Sequence, residues 1–167
     1  LGNIVKALGC GIGKEFDIGG LRYQRVILLM DADSDGHHIA TLLLTFFYRY
    51  LPELIRRGHV YLAQPPLYRV DIGKETIWVD SDESLQKLLN EPRRGKPEIQ
   101  RFKGLGEMMP ETLRDTTLDP KRRQLIQVTI GDELATDQAI QSLMGKDASS
   151  RYAFIMERAP EAELLDI

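Results

Sequence analysis

The sequence predicts an α/β protein with an at least partly parallel sheet, followed by a smaller region of mixed helices and strands. Three observations carry that expectation. RVILLMD, residues 25–31, is a short apolar run bounded by turn residues, the pattern of a strand buried on both faces. From Ile39 the apolar positions change to helical spacing, through Leu42, Leu43, Phe46, Phe47, Tyr50, Leu51, Leu54 and Ile55. HVYLAQ, residues 59–64, is then a second strand. Strand, acidic turn, helix and strand make a βαβ unit, whose two strands run parallel.

The other elements follow along the chain. Ile4, Val5, Ala7 and Leu8 suit a short helix, stopped by Gly9, Gly11 and Gly13. GCGIG lacks the strand before it and the helix after it that a dinucleotide fingerprint requires, so it reads as a turn. Pro52 should kink the long helix or begin a second segment. Gly58, after Arg56 and Arg57, is a stop signal. Beyond Pro65 and Pro66, LYRVDIG and ETIWVD alternate around Gly73 like a hairpin. SDESLQKLL is a short helix with Ser81 or Asp82 as its N-cap, and EPRRGKPE is a polar linker. PETLRDTTL reads as a helix, KRRQLIQV as a strand or second helix, and GDELATDQAIQSLMG and RYAFIMERA as helices.

Composition narrows the function classes. The chain has 167 residues, 43% hydrophobic and 28% charged, with net charge -3. That is a soluble globular composition without an overall basic footprint, so nucleic-acid binding would need a local patch. The single Cys10 excludes an internal disulfide framework and fits a reducing compartment. No apolar run reaches the roughly 18 residues that a membrane span needs. The chain starts at Leu1 with no signal-peptide pattern, and is expected to be an excerpt of a longer protein.

Residues 30–39, MDADSDGHHI, concentrate the chemistry. Asp31, Asp33 and Asp35 alternate behind the apolar strand, and like charges this close need an offset. Exposed acids in a polar turn are the plain reading. A calcium loop would match Asp31, Asp33, Asp35 and Gly36, but its twelfth position is Leu42 and it is entered from a strand, which rejects it. A phosphoryl-transfer nucleophile would suit the strand end, with Ser34 only a partial match to the hydroxyl such sites want. A divalent-metal site for phosphodiester chemistry uses hard oxygen ligands of this kind. The helix that follows would add a field favourable to phosphate near His37. His37 and His38 are adjacent and do not face each other on a helix. His59 opens a strand and is read as structural.

A second motif lies at residues 101–109, RFKGLGEMM. Arg93, Arg94, Lys96, Arg101 and Lys103 gather in it and just before it, and Gly104 and Gly106 would let backbone approach a phosphate closely. A solvated basic linker is the plain alternative. Taken together, LLMDADSDGHHIATLLLTFF, RGHVYLAQPPLY and RFKGLGEM resemble the B subunits of bacterial type IIA DNA topoisomerases, gyrase or topoisomerase IV. ALGCGIG and LRYQRVI upstream, and TLRDTTLDPKRR and QSLMGKDA downstream, extend the resemblance over nearly the whole chain.

The resemblance implies a Toprim fold, Rossmann-like with a mostly parallel sheet, in residues 1–70 and a small α+β tail in residues 71–167. It implies Mg²⁺ at a two-metal site, with Asp31 and Asp33 as ligands and Asp35 as support. It implies that Lys103, Arg101 and, less directly, His38 face double-stranded DNA. A topoisomerase A subunit would supply the catalytic Tyr in an A2B2 heterotetramer, so no Tyr of this chain is expected to be catalytic. ATP would be bound by an upstream domain, and the location would be cytoplasmic. An upstream EGDSAGG segment would supply a Glu that completes the site. The family often has DADVDGSH where Ser34 and His37 stand here, and Asn where Met109 stands; neither departure removes a ligand. Two other classes stay open: a stand-alone metal-dependent phosphatase or nuclease, and a non-catalytic DNA-binding module.

Overall fold

A computed structural model of the chain describes residues 1–92 and 95–161. Arg93 and Arg94 of the basic cluster therefore lie outside the described residues. The chain forms two compact units, Leu1–Thr129 and Ile130–Ile167.

The first unit opens with α1 (Gly2–Leu8) and two single helical turns, then enters β1 (Val26–Leu28). β1 runs parallel to β2 (Val60–Gln64), with Val26 opposite Val60 and Leu28 opposite Leu62. The crossover between them is α2 (Ser34–Tyr50) and α3 (Pro52–Arg56). Pro52 takes the first turn of α3, where its missing N–H leaves no bond unmade. Gly58 ends the crossover at φ 73, a left-handed conformation that suits glycine. Phe46, Phe47, Leu51, Leu54, Ile55 and Val60 are buried and form the core of this layer.

Two features of this layer depart from the sequence expectation. The strand within RVILLMD is three residues long rather than seven, and only Leu28 of it is buried. Ile39 and Leu42, on the early part of the α2 stripe, stay about half exposed at 51% and 49%. The short strand accords with β1 having a neighbour on one edge only among the described residues. The other edge of β2 is taken by β6 (Gln124–Gln127), which pairs antiparallel with Leu62 opposite Ile126. The parallel pairing is thus confined to the βαβ unit.

A second sheet of three strands is antiparallel throughout, with the first strand of a hairpin at its centre. β3 (Tyr68–Ile72) and β4 (Glu75–Val79) form the hairpin around Gly73. α4 (Asp82–Asn90) follows, with Ser81 as its N-cap: the Ser81 hydroxyl accepts the Ser84 N–H at 3.1 Å. Leu85 packs on Tyr68, Val70 and Val79. β5 (Glu98–Arg101) begins at the last residue of the stretch read as a polar linker. All four of its residues are exposed, so backbone pairing to β3 holds it, with Arg101 opposite Tyr68. α5 (Pro110–Leu113) widens into a π turn over Arg114–Leu118, in which Thr117 is buried.

The second unit consists of α6 (Glu133–Met144) and α7 (Ser149–Arg158). Asp132 caps α6 by accepting the Ala135 N–H at 2.6 Å. Arg151 donates to the Gly145 carbonyl at 2.6 Å across the connecting turn. Among the described residues no helix is long and apolar enough to cross a membrane.

Candidate functional site

The site is assembled at the carboxyl end of β1, where ligands bind in open α/β sheets. Past Leu28 the chain continues through Met30 to Asp31 and turns into α2 at Ser34. Asp31, Asp33 and Asp35 are all exposed there. Asp33 is the N-cap of α2, and its Oδ1 accepts the Gly36 N–H at 2.7 Å. Asp35 lies in the first helical turn, where a carboxylate is favoured by the helix field. Gly36 is buried, and a Cβ on it would meet the Asp31 carbonyl oxygen at 2.2 Å. Glycine therefore lets the first turn of α2 pack directly on the backbone that carries Asp31.

The KGLGE stretch is held between two buried anchors, Phe102 and Met108. Phe102 stacks on Trp78 with ring centroids 6.2 Å apart and donates its N–H to the Leu67 carbonyl at 2.8 Å. The loop between the anchors reaches the acids. Leu105 N–H donates to Asp31 Oδ1 at 2.7 Å, across 74 positions of sequence. Ala32 N–H donates to the Lys103 carbonyl at 3.2 Å. A Cβ on Gly104 would lie 3.4 Å from the Asp31 carboxyl carbon, so the loop backbone passes close against that acid. The two sequence motifs are one structural site.

This geometry shows an offset to the acid–acid repulsion that the sequence did not display. Backbone N–H groups of Gly36 and Leu105 each hold one oxygen, of Asp33 and Asp31 respectively, and hydrogen bonds to an ionised acceptor are the stronger kind. The other oxygen of each carboxylate makes no hydrogen bond among the described residues. Such donors suit a hard divalent cation, which takes few protein carboxylates and keeps several waters. Among the described residues no three His, Cys, Asp or Glu side chains gather into a metal cluster.

The remaining candidates are placed as follows. Lys103 is exposed in the loop beside Asp31, with its backbone N–H and carbonyl both engaged. Arg101 leans on β3, its guanidinium 5.8 Å from the centre of the Tyr68 ring. His37 and His38 are exposed near the start of α2. His59 sits at the start of β2, and its Nδ1 lies 2.8 Å from the Gln24 carbonyl oxygen, tying the approach of β1 to β2.

Sequence reasoning passed over Glu107. Its Oε2 accepts the Lys103 N–H at 3.0 Å and closes the turn that presents Leu105. A signal existed: Gly-x-x-Glu at the start of a helical turn has the spacing with which a third-position Glu reaches back to an amide.

Residues 2–65 match the Toprim domain family. Residues 94–156 match the family described as DNA gyrase B subunit, carboxyl terminus. The chain is 51% identical to a DNA gyrase B subunit of Archaeoglobus fulgidus over 98% of its length, covering 26% of that protein. It is 52% identical to the DNA gyrase B subunit of Thermus thermophilus over 96% of its length, again 26% of the relative. It is 49% identical to that of Thermotoga maritima over 100% of its length and 26% of the relative. The chain spans about a quarter of the length of these relatives. It belongs to the type IIA DNA topoisomerase B-subunit family, of which it carries a Toprim portion and the carboxyl-terminal segment.

Proposed function

We propose that this chain is the DNA cleavage–religation part of an ATP-dependent type II DNA topoisomerase, the kind of enzyme that changes DNA supercoiling or decatenates DNA. Residues 1–70 would be the Toprim portion and residues 71–167 the tail. Asp31 and Asp33 would hold Mg²⁺, with Asp35 in support, Asp31 and Asp33 each through the oxygen that its backbone amide leaves open. The bound ion would stabilise the charge that builds on the reacting phosphate and on the leaving 3′ oxygen. The nucleophile would be a Tyr of an A subunit in an A2B2 assembly. It attacks a DNA phosphate, a phosphotyrosyl bond forms as the 3′ oxygen leaves, and religation reverses the step. Lys103, Arg101 and His38 would face the double-stranded DNA, Lys103 as a phosphate contact beside the acids. ATP would bind in another part of the subunit, and the enzyme would work in the cytoplasm.

The observation that carries this reading is the Leu105–Asp31 hydrogen bond. It joins the acids beyond β1 to a basic, glycine-rich loop, so the residues that would hold the cation and those that would face phosphate lie side by side. The test is DNA cleavage by the full-length subunit reconstituted with its A subunit. Asp31→Ala is expected to abolish cleavage while the protein stays folded. Cleavage at the level of the unmodified enzyme sinks the metal assignment.

A further inference from the structure

We propose that Glu107 is a positioning residue of this site, fixing the turn that delivers the Leu105 N–H to Asp31. The proposal rests on the reading of Asp31 as a metal ligand, and it concerns how that ligand is aimed. Leu105 stands between Gly104 and Gly106, two residues with the greatest backbone freedom to lose. Phe102 and Met108, both buried, anchor the loop from its ends. The Glu107 carboxylate does so from within. It accepts the Lys103 N–H at 3.0 Å, while its own N–H donates to the Gly104 carbonyl at 3.1 Å. These two bonds close residues 103–107 into a single turn.

The turn meets the acids in two places. Its first carbonyl, on Lys103, receives the Ala32 N–H, and its third amide, on Leu105, holds Asp31 Oδ1. Fixing one oxygen of Asp31 sets the direction of the other. Glu107 acts through Leu105 and not as a ligand. Its bonded oxygen faces the Lys103 amide, and no third acid or imidazole joins it and Asp31 in a cluster among the described residues.

The test uses the full-length subunit with Glu107→Ala and Glu107→Gln. One readout is amide hydrogen exchange over residues 103–107 and at Ala32 in the metal-free protein. The other is the Mg²⁺ concentration for half-maximal DNA cleavage with the A subunit. Glu107→Ala is expected to speed exchange at Leu105 about fivefold, the loss of one ordinary hydrogen bond, and to raise the Mg²⁺ requirement by a similar factor. Glu107→Gln keeps an acceptor oxygen and is expected to restore both within about twofold. Unchanged exchange in Glu107→Ala overturns the proposal. So does a Gln variant as impaired as the Ala variant, because charge and not the hydrogen bond would then matter. If Asp31→Ala still cleaves DNA, the metal reading fails separately, and the exchange result still decides whether Glu107 holds the turn.

Discussion

Replacing Gly36 by Ala tests whether the close packing of α2 on the Asp31 backbone builds the site. The added Cβ would lie 2.2 Å from the Asp31 carbonyl oxygen and 3.1 Å from its nitrogen. A carbon and a carbonyl oxygen rest no closer than about 3.3 Å, so one side must move by roughly 1 Å. Where the Asp31 backbone is the side that moves, the 2.7 Å bond from Leu105 to Asp31 is lost, since such bonds fade beyond about 3.2 Å. Overpacking of this kind costs about 1–3 kcal/mol, and the lost hydrogen bond about 1 kcal/mol. The helix preference for Ala over Gly returns at most about 1 kcal/mol. The net expectation is a destabilisation of about 1–3 kcal/mol, from the difference of those values. Urea unfolding of the chain, followed by the fluorescence of its single tryptophan, Trp78, measures it. Gly106→Ala is the control, because a Cβ there meets nothing within 4 Å, and surface changes of that type stay within about 0.5 kcal/mol. A Gly36→Ala midpoint equal to that of Gly106→Ala refutes the packing argument.

Two further outcomes follow from the second sheet and the loop. The Tyr68 hydroxyl donates to Asp82 Oδ1, and that bond, with burial, raises the Tyr68 pKa above its ordinary value. A raised pKa gives stability that is full below the unfolded tyrosine value, about 10, and lost as pH rises through the folded value. Urea midpoints taken from pH 8 to 11 should therefore fall more steeply for the unmodified chain than for Tyr68→Phe; parallel curves count against it. Lys103→Ala should weaken DNA binding by the full-length subunit and lower the slope of log affinity against log salt by about 0.9, the loss of one phosphate contact. An unchanged slope removes Lys103 from the DNA path.

Much of the fold could be read from local chemistry. The apolar run, the change to helical period and the punctuation at Pro52 and Gly58 give the βαβ unit, and Gly73 gives the hairpin. α2 begins at Ser34, earlier than the apolar period from Ile39 suggests. Its first turn is polar and is defined by the Asp33 cap, which periodicity does not see. β5 was illegible for the same kind of reason. Glu98–Arg101 buries no side chain, so no alternation marks a strand that only its ladder bonds to β3 hold. The extent of β1 depends on neighbours, and a strand paired on one edge does not bury a seven-residue run.

At the site, the acids and the KGLGE loop were visible as residue types. Their junction was not, because its donors are the backbone amides of Leu105 and Ala32, and any residue but proline has one. Glu107 had a readable spacing, but its role depends on where the turn lands, 74 positions from Asp31 to Leu105. That distance is closed by sheet topology: Phe102 is fixed to Trp78 and to Leu67, the latter close after β2, whose parallel partner β1 leads into Asp31.

The most direct measurement is the effect of Mn²⁺, as a paramagnetic stand-in for Mg²⁺, on the amide resonances of the full-length subunit. A cation held where the acids meet the loop should broaden the signals of Ala32, Asp33 and Leu105 first, and Asp31→Ala should abolish that selectivity. Broadening that spares these three amides, or that persists unchanged in Asp31→Ala, would contradict a metal site at this junction.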